Sequence, residues 1–162
     1  MPKRKAEPAS ATWEAREAGF AGGFVLDTHV LVWLLTGDPR LTKPTRSALD
    51  AGARGEGLFV PSISVWEIGM LEAKGRIAIA GGAAAWVRRA LQLPGLQLVP
   101  LHPEISLSAA QLADFHGDPA DRMIVATALH LGFPLVTADR KIQAWATGHR
   151  LAILDPGSGP IR

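Results

Sequence analysis

The sequence predicts a three-layer α/β/α fold with a central parallel sheet, on three observations. Short, wholly apolar runs alternate with longer helical patterns along nearly the whole chain. Several of those runs break at a Ser, Thr or Asp suited to opening a helix. And 162 residues with 48% hydrophobic content are enough for one core but not for two full domains.

Taken in order, Phe24-Val25-Leu26 forms the first strand. The break at Asp27-Thr28 ends it, because the apolar segment from Val30 to Leu35 runs on too long for one strand and starts a helix. Leu58-Phe59-Val60 is the second strand, entering Pro61-Ser62 and a helical pattern that stops at Gly75. Residues 82 to 93 read as a helix halted by Pro94-Gly95, residues 96 to 101 as a strand, and residues 106 to 115 as a helix. Asp118 opens a helix closing at Gly132. Pro134-Leu135-Val136-Thr137 is a strand leading through Asp139 into a helix over 141 to 146, and residues 151 to 154 are the last strand. Strand–helix alternation of this kind makes right-handed βαβ units.

Composition excludes several chemistries. With no cysteine, thiolate zinc, iron–sulfur ligation, disulfides and a cysteine nucleophile are ruled out, so any metal must sit on oxygen or imidazole. The net charge is +2. Setting aside Lys3, Arg4 and Lys5 leaves 14 basic against 15 acidic residues, or −1, so charge alone names no partner. Neither a signal peptide nor an apolar run of bilayer length is visible, which reads as a cytoplasmic protein with no membrane association. Phosphate-loop, dinucleotide, zinc-protease and serine-hydrolase motifs are all missing.

Four acids fall where such a sheet places function. Asp27 directly follows the first strand, Glu67 lies in the second turn of the helix after the second strand, Asp121 is in the first turn of its helix, and Asp139 follows a late strand. Each alone also reads as an ordinary helix cap: Ser64-Val65-Trp66-Glu67 fits a capping box, and Asp118 precedes Pro119 at N1. Together they mean more. Four carboxylates at one sheet edge repel one another unless a cation joins them, and hard oxygen donors suit Mg²⁺ or Mn²⁺ and phosphodiester hydrolysis.

Leu26-Asp27-Thr28-His29 with Gly37-Asp38-Pro39-Arg40-Leu41, Ser62-Ile63-Ser64-Val65-Trp66-Glu67-Ile68, His116-Gly117-Asp118-Pro119-Ala120-Asp121-Arg122 and Thr137-Ala138-Asp139 resemble, in that order, the PIN-domain ribonucleases, and most closely the VapC-type toxins of bacterial toxin–antitoxin pairs. The resemblance covers residues 24 to 156. It implies a PIN-like fold and a Mg²⁺- or Mn²⁺-dependent endoribonuclease whose metal-binding tetrad maps onto Asp27, Glu67, Asp121 and Asp139, with Thr137 as the polar residue two before the last acid. It further implies a homodimer, a cognate VapB-like antitoxin as inhibitor, and a structured RNA substrate such as tRNA. Residues 1–23 stand outside it as an appended, flexible arm, and residues 157–162 as a tail.

The remaining candidates have plainer readings. His29, His116 and His130 are read as packing or surface residues, since a metal-activated water needs no imidazole. Arg122 and Arg140 serve equally as phosphate contacts or as partners for their own helices. Trp33, Trp66, Trp86 and Trp145 are read as core or dimer-interface residues in preference to base-stacking platforms. Two rival functions remain: a non-catalytic binding module with the same fold, and a haloacid-dehalogenase-like phosphatase, which wants an Asp where His29 stands.

Overall fold

The computed structural model describes residues 22–157, so the arm read over residues 1–23, save its last two, and the tail read over 157–162, save its first, lie outside the described residues. The elements run β1 (Phe24–Leu26), α1 (Thr28–Thr36), α2 (Lys43–Arg54), β2 (Leu58–Pro61), α3 (Ser62–Ala73), α4 (Ala83–Ala90), β3 (Leu96–Val99), α5 (Pro103–Gln111), α6 (Pro119–Leu131), β4 (Leu135–Val136), α7 (Arg140–Ala146) and β5 (Ile153–Leu154).

All strand pairs are parallel, in the order β3-β2-β1-β4-β5, with Val25 opposite Phe59 on one side and Leu135 on the other. Side chains alternate across the pleat, yet both faces are apolar, as a sheet covered on both sides requires. Phe24, Leu26 and Val136 join one cluster with Val30, Leu49 and Ile68, which α1 to α4 close. Val25 and Leu135 join the other with Ile124, Val125 and Ile142, closed by α6 and α7. Ile105 and Ala109 of α5 pack with Ala126 of α6 and Val99 of β3. Each fully buried aliphatic side chain in these layers contributes about 1.5–3 kcal/mol.

The strand order positions the site. From β1 the chain steps outward to β2 and β3, then returns through α5 and α6 to place β4 on the opposite side of β1. β1 and β4 therefore flank the point where the winding reverses, and a crevice opens beyond their C-terminal ends. Asp27 leaves β1 at that point and Thr137 leaves β4.

The strands read over 96–101 and 151–154 shorten to 96–99 and 153–154, the helix read over 82–93 shortens to 83–90, and three further expectations differ from the structure. Helix α2 was not anticipated: only Thr45, Leu49 and Gly52 of its residues are buried, too few to make an apolar stripe, although Thr42 caps its N-terminus with Pro44 in the first turn. The helix expected over 106 to 115 begins three residues earlier at Pro103 and ends at Gln111. Ser64 is not an N-cap, because α3 starts at Ser62 behind Pro61 with no side-chain cap.

One glycine is required by packing. Gly95, before β3, has φ +83°, and a Cβ there would stand 2.4 Å from the carbonyl oxygen of Ala53 in α2. Its own carbonyl accepts from Leu58 N at 2.7 Å, so the turn also starts the β2–β3 ladder.

Candidate active site

Asp27 is placed by its strand and held by its helix. Its backbone N–H continues the ladder to Val136 O at 3.1 Å, and its carbonyl accepts the first α1 hydrogen bond from Leu31 N at 3.0 Å. Extended backbone angles at this N-cap turn the carboxylate into the crevice, where Oδ1 accepts from Thr28 N at 2.7 Å. Oδ2 accepts from Thr137 Oγ1 at 2.6 Å, and Thr137 Oγ1 in turn accepts from Asp139 N at 3.0 Å. A single hydroxyl thus joins two of the predicted acids. Asp139 itself caps α7, with Oδ1 accepting from Lys141 N at 2.7 Å and Ile142 N at 3.1 Å.

The second link runs through Thr28. Its buried hydroxyl donates to Glu67 Oε2 and shares a 2.9 Å hydrogen bond with Ser64 Oγ, tying α1 to α3. Ser64, a turn before Glu67, is fully buried, so the serine that looked like a cap anchors the helix that carries the acid. On the far wall, Asp118 Oδ1 caps α6 by accepting from Ala120 N at 2.9 Å and Asp121 N at 3.3 Å.

The electrostatics show that the acids share one field. Burial pushes Asp27 up, against the lowering pull of His29 and the hydrogen bonds from Thr137 and Thr28, while Asp139 raises it further. Glu67 is raised by burial, then by Asp27 and Asp118, with the Thr28 hydrogen bond opposing. Asp121 is pushed up to about 7, by burial first and then by Asp118, Asp27, Asp139 and Glu67. The structure therefore brings all four tetrad positions and Thr137 to one crevice.

The histidines and Arg122 do more than the sequence conveyed. His29 Nε2 accepts from Ala138 N at 3.1 Å, which leaves the proton on Nδ1, 3.6 Å from Asp27 Oδ2. The ring packs on Trp33 with centroids 4.8 Å apart, and the Arg40 guanidinium lies 4.3 Å over that indole. His116 stacks on Phe115 at 4.3 Å and accepts from Asp118 N through Nδ1 at 3.4 Å. Its buried Nε2 stands 3.4 Å from Asp121 Oδ2 without forming a hydrogen bond. Arg122, also read as a phosphate contact, instead donates to five backbone carbonyls, those of Ala109, Ala110, Leu112, Phe115 and His116, at 2.8 to 3.2 Å. His130 and Arg140 are exposed. Trp33, Trp86 and Trp145 are half-buried, but Trp66 is 57% exposed.

The donor set fits a hard divalent cation: carboxylate oxygens, no thiolate, and an Asp121 raised to about 7 by burial first and then by the charge of Asp118, Asp27, Asp139 and Glu67. Among the described residues no three His, Asp or Glu side chains converge into a complete ligand cluster. One or two carboxylates with water and phosphate oxygens is the arrangement Mg²⁺ prefers.

Comparison with known proteins agrees with this architecture. A PIN domain profile matches residues 24–147. Ribonuclease VapC22 from Mycobacterium tuberculosis (strain ATCC 25618 / H37Rv) is 32% identical over 121 residues, covering 74% of this chain and 89% of that protein. Two solved structures share the fold at low identity. VapBC2 from Rickettsia felis, bound to a DNA fragment from their promoter, matches with a TM-score of 0.60 and 15% identity, covering 80% of this chain and 96% of that one. FitAcB from Neisseria gonorrhoeae matches with a TM-score of 0.59 and 18% identity, covering 83% of this chain and 99% of that one. With the profile spanning every strand from β1 to β4 and all four acids, the chain belongs to the PIN domain family.

Proposed function

We propose that the protein is a metal-dependent endoribonuclease of the VapC type, a toxin held in check by a VapB-like antitoxin. One observation supports the reading: Thr137 joins Asp27 to the Asp139 backbone and Thr28 holds Glu67 beside them, in a crevice where burial first and then neighbouring carboxylates raise Asp27, Glu67 and Asp121. The names of the relatives support the same class of activity.

In this reading Asp27 and Asp121 are the firmest ligands for Mg²⁺ or Mn²⁺, with Glu67 and Asp139 completing the site directly or through water. The ion supplies a Lewis acid that neutralises charge gathering on the phosphate and makes water acidic enough to serve as nucleophile. The chain supplies positioning. Thr137 and Thr28 fix the Asp27 and Glu67 carboxylates, each leaving oxygen lone pairs free toward the crevice. The N-termini of α1 and α6 open on the same crevice, and their amide dipoles favour the anions gathered there. With the acids ionised, an RNA phosphate is repelled until a cation balances them, so binding at the centre and cleavage both depend on the metal.

The reading extends to a homodimer acting in the cytoplasm on structured RNA such as tRNA, with residues 24–156 as the nuclease domain and residues 1–23 and 157–162 as appended segments. Among the described residues no helix is long and apolar enough to cross a membrane. The test is cleavage of RNA by the purified protein. Chelation should stop it, Mg²⁺ or Mn²⁺ should restore it, and Asp27→Asn should abolish it while the circular dichroism spectrum stays native. Equal cleavage by Asp27→Asn, with contaminating nuclease excluded, removes the proposal.

A further inference from the structure

We propose that the groove between α3 and the N-terminus of α6 is a base-stacking subsite for the single-stranded RNA segment beside the scissile bond, with the indole of Trp66 as its platform and Lys74 and Arg76 as backbone contacts. This rests on the nuclease reading and adds to it a binding residue and a strand path. The groove encloses about 600 Å³ and begins at the catalytic crevice, since Glu67 and Asp118 both line it. It then runs along α3 past Trp66 to Lys74 and Arg76.

The residue spacing explains this wall. Trp66 and Met70 lie one turn apart on the helix surface, and Lys74 follows one turn later, so one face presents an aromatic plate, a thioether and a cation in sequence. Trp66 is 57% exposed while Ile68, two residues on, is fully buried. Among the described residues no aromatic ring or guanidinium covers the indole. Charge along the groove changes sign, from the carboxylates at one end to Lys74 and Arg76 at the other. That polarity matches a nucleic acid strand whose central phosphate is drawn to a cation held by the acids while the next phosphate meets a basic side chain directly. Between the two, a flat π face exposed to water accepts any unpaired base, as single-strand binding surfaces do. An apolar peptide helix would make no use of the charge gradient, and a duplex would not present a free base face.

The decisive measurement is binding of a short fluorescein-labelled oligouridylate by fluorescence anisotropy, in low salt with Ca²⁺, which balances the acids but is a weaker Lewis acid than Mg²⁺, with the oligonucleotide checked intact on a gel afterwards. Trp66→Ala should weaken binding roughly five- to 150-fold, the range of one lost base–aromatic stack, whereas Trp66→Phe retains most of it. Arg76→Ala and Lys74→Ala should each flatten the dependence of log Kd on log salt. With Mg²⁺ and a cleavable RNA, Trp66→Ala should raise KM with kcat little changed. Unchanged binding and KM for a natively folded Trp66→Ala protein overturns the proposal. So does a change of oligomeric state, or loss of antitoxin binding with RNA affinity intact, since either assigns the groove to a protein. These outcomes are separable from failure of the nuclease reading: a wild-type protein that binds the oligonucleotide through Trp66 but cuts no RNA defeats only the latter.

Discussion

Thr137 Oγ1 and Asp27 Oδ2 meet at 2.6 Å across the boundary between β4 and β1, where the sheet reverses its winding. The same oxygen receives the Asp139 amide, so one side chain with no charge of its own sets the relation between two acids. Thr137→Val keeps the shape but leaves a buried carboxylate and a backbone N–H without their partner. It should cost about 1–3 kcal/mol in urea unfolding. Because that hydrogen bond lowers the Asp27 pKa, its loss raises the pKa further, and the acid limb of any pH–rate profile moves to higher pH. Thr137→Ser should restore both properties.

Asp121, pushed up to about 7, makes the metal-free protein pH-sensitive in a definite direction. The unfolded carboxyl loses its proton near pH 4, while the folded one holds it until about 7. Between those values the folded state binds more protons, so stability falls as pH rises through the window. Asp121→Asn should reduce this slope by the Asp121 share, leaving the part due to the raised Asp27 and Glu67. Since part of the side chain stays in water, which screens the repulsion, the variant should gain about 1–2 kcal/mol over wild type at pH 8 in EDTA and much less at pH 5. Thermal melts at the two pH values measure the difference, and adding Mg²⁺ should narrow it.

Arg122 holds the segment between α5 and α6 by its five carbonyl contacts, with Phe115 under the guanidinium at 5.8 Å. That segment carries His116 and Asp118 to the crevice. Arg122→Lys should not rescue it, because one ammonium has three protons and no planar fork to reach so many acceptors. The expected loss is about 2–4 kcal/mol, with new proteolytic cleavage between residues 112 and 118 as the local readout.

Gly95→Ala tests the turn that starts β3. A side chain at φ +83° is strained, and its Cβ would press on the Ala53 carbonyl at 2.4 Å. The two effects together should cost about 3 kcal/mol or more, read as a lower urea midpoint with the slope unchanged.

The sheet was legible because its strands are short and apolar on both faces: Phe24-Val25-Leu26 and Leu135-Val136 leave little choice but burial from two sides. The positions of Asp27, Glu67, Asp121 and Asp139 followed from that, since each stands just past a strand or within two turns of a helix start. What was not legible depends on contacts between distant residues. Helix α2 hides behind small and polar residues, and its cue was the cap at Thr42 with Pro44. Ser64 imitates a cap but is pinned by Thr28, 36 residues earlier. The work of Arg122 is equally invisible in one dimension, because a guanidinium that gathers backbone carbonyls is written with the same letter as one facing a phosphate. His29 lies beside Asp27 in sequence, yet its bond to Ala138 spans 109 residues. Trp66 was read as a core or dimer-interface residue, and the helix phase turns it outward from the core.

The wedging of β4 between β1 and β5 has a consequence for synthesis. A chain emerging from the ribosome carries Asp27 early but acquires the hydroxyl that steadies it 110 residues later. Until then one border of the first strand has no neighbour and the crevice has no second bank. A product ending before residue 135 would lack that second bank altogether, and with it both Thr137 and Asp139.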